Sequence, residues 1–386
     1  MMNTIPKTAD FIVIGGGIMG ASTAYHLAQR GCKNVVLLEK EEFHGQGATG
    51  RCAGGVRYQF STEINIRLSQ ISLPMIERFP EELGQEVDFQ KAGYLFLLNN
   101  EKDIATFERN INLQHSLGVM TEWLSGDEVR KRLPMMKLKD IVKAAFNGNE
   151  GLVDPNGLVM GYINAASKLG VNAINEVEVT GMKIISGKVA GVETNQGNID
   201  APVVINCAGP WAGQITKFAG FDIPIKPLRR QMLVTTPLQG IPEDFPMVID
   251  FAQSLYFHRE GEGILTGMSN QDEKYGFDQS VDSDFELFNM ERAIERMPIL
   301  ETAGLTSHWA GLYEVTPDAH PIYGKTPVDG LFLVGGVSGH GFMHGPVSGK
   351  LMSEIILDDE FKTLDVSMLD LARFEENRLI HEYNVV

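Results

Sequence analysis

The chain has 386 residues, 43% of them hydrophobic, and its 33 basic and 50 acidic residues give a net charge of −17. Because one domain usually takes about 100–200 residues, this length predicts two lobes with a sizeable core. Nucleic acids and anionic membranes favour basic proteins, so the acidic balance disfavours both as partners.

The three cysteines, Cys32, Cys52 and Cys207, lie far apart and form no C-x-x-C pair. This spacing predicts no disulfide framework, no iron–sulfur cluster and no structural zinc, so we expect no bound metal. Residues Met1–Asp10 contain no cationic run followed by a long apolar segment, so neither a signal peptide nor a membrane helix is predicted there. We therefore expect a cytoplasmic protein without membrane insertion.

A βαβ unit is predicted at the start of the chain. Phe11–Ile14 is typical of a buried parallel strand, a helical pattern follows as far as Arg30, and Val35–Leu38 forms the next strand. Glu39 ends that second strand, where a carboxylate accepts hydrogen bonds from ribose hydroxyls and repels a 2′-phosphate. The unit therefore predicts binding of FAD or NAD rather than NADP.

The turn between the first strand and the helix has the spacing G-x-G-x-x-G, formed by Gly15, Gly17 and Gly20. The first glycine permits a tight turn, the second lets the backbone approach a pyrophosphate, and the third lets helix and strand pack closely. The N-terminus of the helix adds unpaired N–H groups and a partial positive charge for the phosphates.

Similar segments recur in the middle and at the end of the chain. Val203–Asn206 and Leu331–Val334 are predicted buried strands that end in glycine-rich turns, and a helix is predicted from about Pro346 to Ile356. Strand-like runs dominate from Phe221 to about Trp309 instead. We predict an α/β fold in which a discontinuous Rossmann-type FAD-binding lobe is joined to an α+β substrate lobe with a mostly antiparallel sheet. The predicted bounds are 1–87, 147–221 and 310–386 for the first lobe, and 88–146 and 222–309 for the second.

Two features favour FAD over NAD. One is a second glycine-rich stretch, Gly47–Arg51, soon after Glu39. The other is the strand–glycine–helix unit at residues 331–356, whose helix N-terminus can face the flavin N1/O2 edge and stabilise the negative charge of reduced flavin.

Several motifs together resemble the D-amino-acid oxidase superfamily, and within it the sarcosine oxidase β-subunits, proline dehydrogenase β-subunits and glycine oxidases. The segments that carry the resemblance span almost the whole chain: Phe11–Gly20, Gly47–Phe60, Glu176–Gly181, Asn206–Trp211, Gly311–Gly324 and Gly335–Gly345. The resemblance implies a D-amino-acid oxidase-like fold and an FAD cofactor.

On this basis we predict a set of FAD-binding residues in which the backbone of Val177 meets the adenine and His340 positions the flavin through its backbone. The set comprises Gly15, Gly17, Ile18, Met19, Gly20, Glu39, Lys40, Thr49, Gly50, Arg51, Gly54, Gly55, Val177, Ala208, Gly209, Trp211, Gly339, His340, Gly341, Phe342 and Met343.

Four residues are predicted around the substrate. Arg57 resembles the arginine that holds the substrate carboxylate in monomeric sarcosine oxidases, the alternative being a surface or FAD-phosphate arginine. Tyr256 is predicted to close the site or bond the carboxylate, unless it is a packed core tyrosine. His258 shares a strand face with Tyr256, although a polar rim residue is the simpler interpretation. Tyr313 stands where glycine oxidases place a carboxylate-binding arginine.

Three departures from the family pattern refine the cofactor prediction. Gly311 stands where the monomeric enzymes attach flavin through a cysteine, so non-covalent FAD is expected. Leu152–Gly157 lacks the histidine that bonds FMN in heterotetrameric enzymes, which leaves FMN at a subunit interface as an open alternative. Leu265 aligns near the oxygen-activating lysine of sarcosine oxidases, so fast reaction with oxygen is not expected.

The predicted function is FAD-dependent oxidation of the C–N bond of a small amino acid, of the sarcosine, proline, glycine or N-methylglycine type, by hydride transfer to flavin N5. The alternatives are a dehydrogenase of a polyol phosphate, an NAD dehydrogenase and a non-catalytic flavin-binding subunit. The resemblance also implies a larger α-type partner subunit. Arg229 and Arg230 precede Gln231 in a strand, and a solvated sheet edge is favoured for them over a channel to substrate or partner.

Overall fold

A computed structural model describes residues 5–385. The predicted lobe ends at residues 1 and 386, and the first four residues of Met1–Asp10, lie outside this range. The strands, in chain order, are β1 (Phe11–Ile14), β2 (Val35–Leu38), β3 (Gly55–Val56), β4 (Tyr94–Leu98), β5 (Glu122–Ser125), β6 (Lys143–Asn147), β7 (Gly151–Leu152), β8 (Asn172–Ile174), β9 (Val179–Ile185), β10 (Lys188–Thr194), β11 (Gly197–Asp200), β12 (Val203–Asn206), β13 (Lys226–Thr235), β14 (Met247–Asp250), β15 (Leu255–Glu260), β16 (Gly263–Met268), β17 (Leu305–Val315), β18 (Ile322–Lys325) and β19 (Leu331–Gly335).

The α-helices, again in chain order, are α1 (Ile18–Gln29), α2 (Glu63–Glu77), α3 (Phe79–Leu83), α4 (Glu101–Ser116), α5 (Gly126–Arg132), α6 (Pro155–Lys168), α7 (Ala212–Phe218), α8 (Ser283–Arg296) and α9 (Gly341–Asp358). Short 3-10 turns connect some of them. Within residues 5–385 no helix is both long enough and apolar enough to cross a membrane. The same part of the chain contains no cluster of three His, Cys, Asp or Glu side chains arranged to hold a metal ion.

One sheet has six strands in the order β18-β19-β12-β1-β2-β8, all parallel except β18, which runs antiparallel to β19. The strands from β19 to β2 are short apolar runs buried on both faces, as expected of parallel sheets. Side chains of α1, α2, α6 and α9 pack against one face. The small antiparallel sheet β11-β10-β9 covers the other face.

The second large sheet has eight strands in the order β17-β13-β16-β15-β14-β4-β6-β5, of which only the pair β14 and β4 is parallel among the described residues. Helices α5 and α8 pack on one face, and α4 packs on part of the other. The predicted combination of a parallel and a mostly antiparallel sheet is therefore confirmed. The lobe bounds remain a prediction, and β17 runs across the one placed between residues 309 and 310.

Helix α9 begins at Gly341, ahead of the predicted start at Pro346. Pro346 lies inside the helix, where it removes one backbone hydrogen bond but leaves the preceding turn intact. Helices α9 and α1 pack closely because Gly349 has no side chain: a Cβ there would lie 2.3 Å from the carbonyl carbon of Ser22. The early start places the helix N-terminus at the carboxyl edge of the six-stranded sheet.

Candidate active site

A first cavity of about 290 Å³ lies at the carboxyl ends of β1, β2, β12 and β19. Open α/β sheets bind ligands at this edge, outside the strand ends. The residues that line the cavity include Val177, Thr180 and Phe218, and also Tyr313, Gly339 and Phe342. Segments from the start, middle and end of the chain therefore share one site.

The turn after β1 forms a narrow cradle in this cavity. Gly15 has φ = +106°, and a Cβ on it would lie 2.5 Å from the carbonyl oxygen of Cys207. A Cβ on Gly20 would lie 1.8 Å from the carbonyl oxygen of Gly15, so this glycine serves helix–strand packing. The backbone N–H of Ile18 donates to Oγ1 of Thr49 at 3.2 Å, which connects the second glycine-rich stretch to the helix N-terminus.

Glu39 lines the same cavity and is held by the backbone. Its Oε2 accepts from the N–H of Gly16 at 2.7 Å and its Oε1 from the N–H of Glu41 at 2.9 Å. Burial raises the pKa of Glu39, and the two backbone donors oppose that rise. A carboxylate fixed at the end of β2, beside a cradle of backbone N–H groups, fits the ribose and pyrophosphate of a dinucleotide.

Most of the predicted FAD-binding residues line the first cavity. Lys40 and Trp211 lie together, with the Lys40 Nζ 3.6 Å from the centre of the indole ring. The predicted residues that line the first cavity are Gly15, Gly17, Ile18, Met19, Glu39, Lys40, Thr49, Val177, Ala208, Gly209, Trp211, Gly339, Gly341 and Phe342. Gly20 and Gly50 lie outside both cavities, because each is packed against a backbone carbonyl.

A second, smaller cavity of about 110 Å³ adjoins the first, and Cys52, Tyr313, Gly339 and Phe342 are among the residues that line both. The predicted residues that line the second cavity but not the first are Arg51, Gly54, Gly55, Arg57, Tyr256, His340 and Met343. Its wall contains three arginines and three tyrosines but no Asp or Glu among the described residues.

Each of the three tyrosines occupies space that a glycine leaves open. A Cβ on Gly55 would lie 1.7 Å from the hydroxyl of Tyr94, and a Cβ on Gly267 would lie 2.2 Å from that of Tyr256. Gly339, with φ = +90°, makes the same room for the ring of Tyr313. Burial raises the pKa of Tyr256 well above 10, so this hydroxyl remains a proton donor at neutral pH.

His340 lies in the wall of the second cavity with both ring nitrogens buried and without a hydrogen-bond partner in residues 5–385. Its ring packs edge-on to Phe60, with 4.9 Å between the ring centres. Burial, followed by the charge of Arg57, lowers the pKa of His340 well below 6.5. The imidazole is therefore neutral, which agrees with a positioning role better than with a proton donor.

Arg57 is buried in this wall, and backbone carbonyls engage both of its terminal nitrogens. Nη1 donates to the carbonyl of Gln59, and Nη2 donates to that of Asn384 at 2.5 Å. The guanidinium also lies 4.0 Å from the ring centre of Phe60. These partners occupy both terminal nitrogens of Arg57. Its role as a ligand of the substrate carboxylate remains a prediction.

His258 lies outside both cavities. It is 2% exposed, so it is not a rim residue, and its Nδ1 faces the carbonyl of Arg259 at 2.9 Å. Burial lowers its pKa to about 4.

The solvated edge expected for Arg229 and Arg230 is wrong, because β17 pairs with both residues and the side chain of Arg229 is only 12% exposed and is paired with carboxylates. Arg230 lines the second cavity. Other lining residues that sequence reasoning missed are Tyr94, Met232, Met247, Ile249 and Ser338. Strand alternation places Arg230 and Met232 on one face, but the sequence alone does not show which face meets the cavity.

Comparison with known proteins identifies relatives of the chain. The model of the DAO family, described as FAD dependent oxidoreductase, matches residues 10–355. Human mitochondrial sarcosine dehydrogenase is 31% identical over 98% of this chain, which spans only 42% of that protein's length. The FAD-dependent oxidoreductase domain-containing protein 1 of Xenopus laevis is 30% identical over 99% of this chain and 85% of its own length.

A solved structure agrees over almost the whole chain. The crystal structure of L-proline dehydrogenase from P. horikoshii superposes with a TM-score of 0.90 and 32% identity, covering 97% of this chain and 100% of that one. The fold predicted from the sequence motifs is confirmed by this likeness.

Proposed function

The chain belongs to the DAO family of FAD-dependent oxidoreductases, and we propose that it oxidises the C–N bond of a small amino acid of the sarcosine, proline, glycine or dimethylglycine type. The observation that carries this proposal is the second cavity, which is small, rich in arginine and adjoins the dinucleotide cradle. Arginine binds carboxylates through paired hydrogen bonds, and a small cavity excludes long side chains.

The residues of the first cavity fit FAD, with the cradle after β1 at its pyrophosphate and Glu39 at a ribose. When bound, the flavin accepts the electron pair and hydrogen lost from the carbon next to the nitrogen. We propose that FAD is held without a covalent bond. Gly311 offers no nucleophile, and burial raises the pKa of both Cys52 and Cys207 to about 12, so these two cavity cysteines are protonated.

The chain's own groups prepare the substrate in three ways. Arginine charge in the second cavity attracts the carboxylate and orients the molecule. The same charge, with no Asp or Glu in the lining, favours the neutral amine over the ammonium ion. Apolar side chains of Met232, Met247 and Ile249 keep water from the rest of the site.

The named relatives support this substrate class. Sarcosine and proline are both small secondary amino acids, and they are the substrates named for the human relative and for the P. horikoshii structure. Both fit the chemistry of an arginine-rich cavity with apolar walls.

Turnover of a redox dye with sarcosine, proline, glycine, dimethylglycine and glycerol phosphate, each supplied separately, tests the proposal. We expect dye reduction with at least one amino acid and release of the matching carbonyl or imine product, seen by mass spectrometry. Acid precipitation should release the yellow cofactor into the supernatant as FAD. Reduction by glycerol phosphate alone would replace the amino-acid proposal with polyol phosphate oxidation.

The wider predictions belong to the same proposal. We propose a cytoplasmic location, and the α-type partner subunit remains a prediction from the resemblance. This prediction can be tested by purifying the chain at its native abundance and identifying the proteins that co-purify with it by mass spectrometry.

A further inference from the structure

The second cavity contains three guanidinium groups, and two of them donate two hydrogen bonds each to backbone carbonyls. Arg51 donates from Nη1 to the carbonyl of Ala310 at 2.8 Å and from Nε to that of Gln46 at 3.4 Å. Arg57 donates from both terminal nitrogens to backbone carbonyls and stacks on Phe60. These contacts give both side chains a structural role in the cavity wall.

Arg230 differs from the other two. Within residues 5–385 its one hydrogen bond runs from Nη1 to the carbonyl of Arg229 at 3.0 Å, and its buried Nε has no partner. The guanidinium carbon lies 5.2 Å from the ring centre of Tyr313. Burial raises the pKa of Tyr256 and of Tyr313, and the charge of Arg230 opposes both rises, so the guanidinium lies near both side chains.

Arg229 and Arg230, which are neighbours on β13, lie on opposite faces of the strand and have different surroundings. Arg229 points to the other face of the strand and binds carboxylates of Glu273 at 3.1 Å and Asp278 at 3.0 Å. Strand alternation places Arg230 and Met232 on the cavity face instead. No ion pair joins Arg230 to an acidic residue in the described part of the chain.

Tyr256 approaches Arg230 across the sheet. Tyr256 on β15 pairs with Gly267 on β16, which pairs with Met232 on β13. Because Gly267 has no side chain, the Tyr256 hydroxyl reaches over β16 toward β13. A protonated hydroxyl and a guanidinium thus both line the second cavity.

We propose that Arg230, with the hydroxyl of Tyr256, binds the substrate carboxylate, and that Arg57 is a positioning residue that shapes the wall. The inference rests on the proposed function. Nη1 of Arg230 is occupied, which leaves Nε and Nη2, the two donors on one edge of the guanidinium, for the two carboxylate oxygens. Arg230 then selects amino acids over amines that lack a carboxylate.

Titration of the FAD-loaded protein with 2-furoate tests this assignment without turnover. 2-Furoate carries a carboxylate but no oxidisable amine, and 2-furamide is its uncharged counterpart. The change in the flavin absorption spectrum gives a Kd for each. Arg230→Met should weaken 2-furoate binding by about 30-fold or more and leave 2-furamide binding within about twofold, because only the former loses a charge pair.

Three further variants sharpen the test. Arg230→Lys, which keeps the charge but not the planar fork, should show a loss of about 3- to 10-fold, and it decides the question if Arg230→Met loses its flavin. Arg259→Met removes an arginine from the same sheet outside both cavities and should bind like the unmodified protein. Arg57→Met tests the alternative that Arg57, and not Arg230, binds the carboxylate.

A Kd for 2-furoate that is unchanged in Arg230→Met, or a loss confined to Arg57→Met, overturns the assignment. Failure of the proposed function gives a different pattern. In that case no amino acid reduces the flavin of the unmodified protein, whether or not 2-furoate binding depends on Arg230.

Discussion

Tyr256 contributes a polar hydroxyl to the lining of the second cavity. The hydroxyl has room there because Gly267 has no side chain. Burial keeps it protonated, so it can donate to a carboxylate but cannot act as a base near neutral pH. Hydrogen bonds to charged groups contribute about 1.5–3 kcal/mol.

We therefore expect Tyr256→Phe to weaken amino-acid binding by about 10- to 100-fold while the protein keeps its flavin. Flavin reduction measured against amino-acid concentration gives the affinity. Tyr275→Phe, which removes the hydroxyl of a tyrosine that is 56% exposed, is the matched control and should change nothing. Equal affinities for the Tyr256→Phe and unmodified proteins would make Tyr256 a packed core tyrosine, the alternative left open by the sequence.

At the level of secondary structure, the contact between α1 and α9 supports the dinucleotide cradle. Glycines of α9 face α1, and a Cβ on Gly349 would lie 2.5 Å from the backbone nitrogen of Thr23. Backbone atoms cannot move aside as a flexible side chain can, so α1 would have to shift.

Gly349→Ala should consequently lower the free energy of unfolding by about 1–3 kcal/mol through overpacking. Gly276→Ala is the control, because a Cβ there meets nothing within 4 Å, and it should change stability by no more than about 0.5 kcal/mol. Denaturant unfolding of both variants measures the difference. Equal midpoints for the two variants would show that the helices separate at little cost.

The elements predicted best are those defined by local sequence. The bounds of β1, β2 and β12 match the prediction because each is a short, mostly apolar run, and such a pattern depends on the local sequence alone. Strand β14 was not predicted, and one of its partners, β4, lies far earlier in the chain. Strand β18 was not predicted either, although its partner β19 follows it closely. The start of α9 was predicted late because a proline in the first turn is the more common arrangement.

The two cavities differ in how far the sequence could predict them. Cradle residues such as Gly15 and Glu39 belong to a motif with fixed spacing, so they could be identified directly. Arg230 could not, because its exposure depends on β17, which is some 80 residues further along the chain. The sequence around Arg230 does not show that β17 pairs with it or that its side chain lines a cavity.

For the whole molecule, buried neutral histidines link stability to pH. Burial lowers the pKa of His26 and His258 to about 4 and that of His344 to about 3. In the unfolded chain these groups titrate near 6.5, so unfolding takes up protons below that pH. The stability they confer is present above pH 6.5 and is lost as the pH falls toward 4.

We expect each such histidine to lower the free energy of unfolding by up to about 3 kcal/mol between pH 6.5 and 4. Burial raises the pKa of Glu150 to about 8 and that of Glu314 to about 7, so these two carboxyls oppose the fall. His258→Gln should reduce this fall, whereas His381→Gln, at an exposed position, should not. Unfolding midpoints of the FAD-loaded proteins across this range provide the comparison. Parallel pH profiles for both variants would assign the acid sensitivity to other groups.

The catalytic proposal for the whole protein is tested most directly by its visible spectrum under anaerobic conditions, recorded before and after adding sarcosine, proline, glycine or dimethylglycine separately. We predict an oxidised flavin band that one or more of these amino acids bleaches, because on our proposal the second cavity holds the substrate carboxylate beside the cofactor. A flavin band that none of the four bleaches, even with excess amino acid and long incubation, would contradict oxidation of a small amino acid at this site.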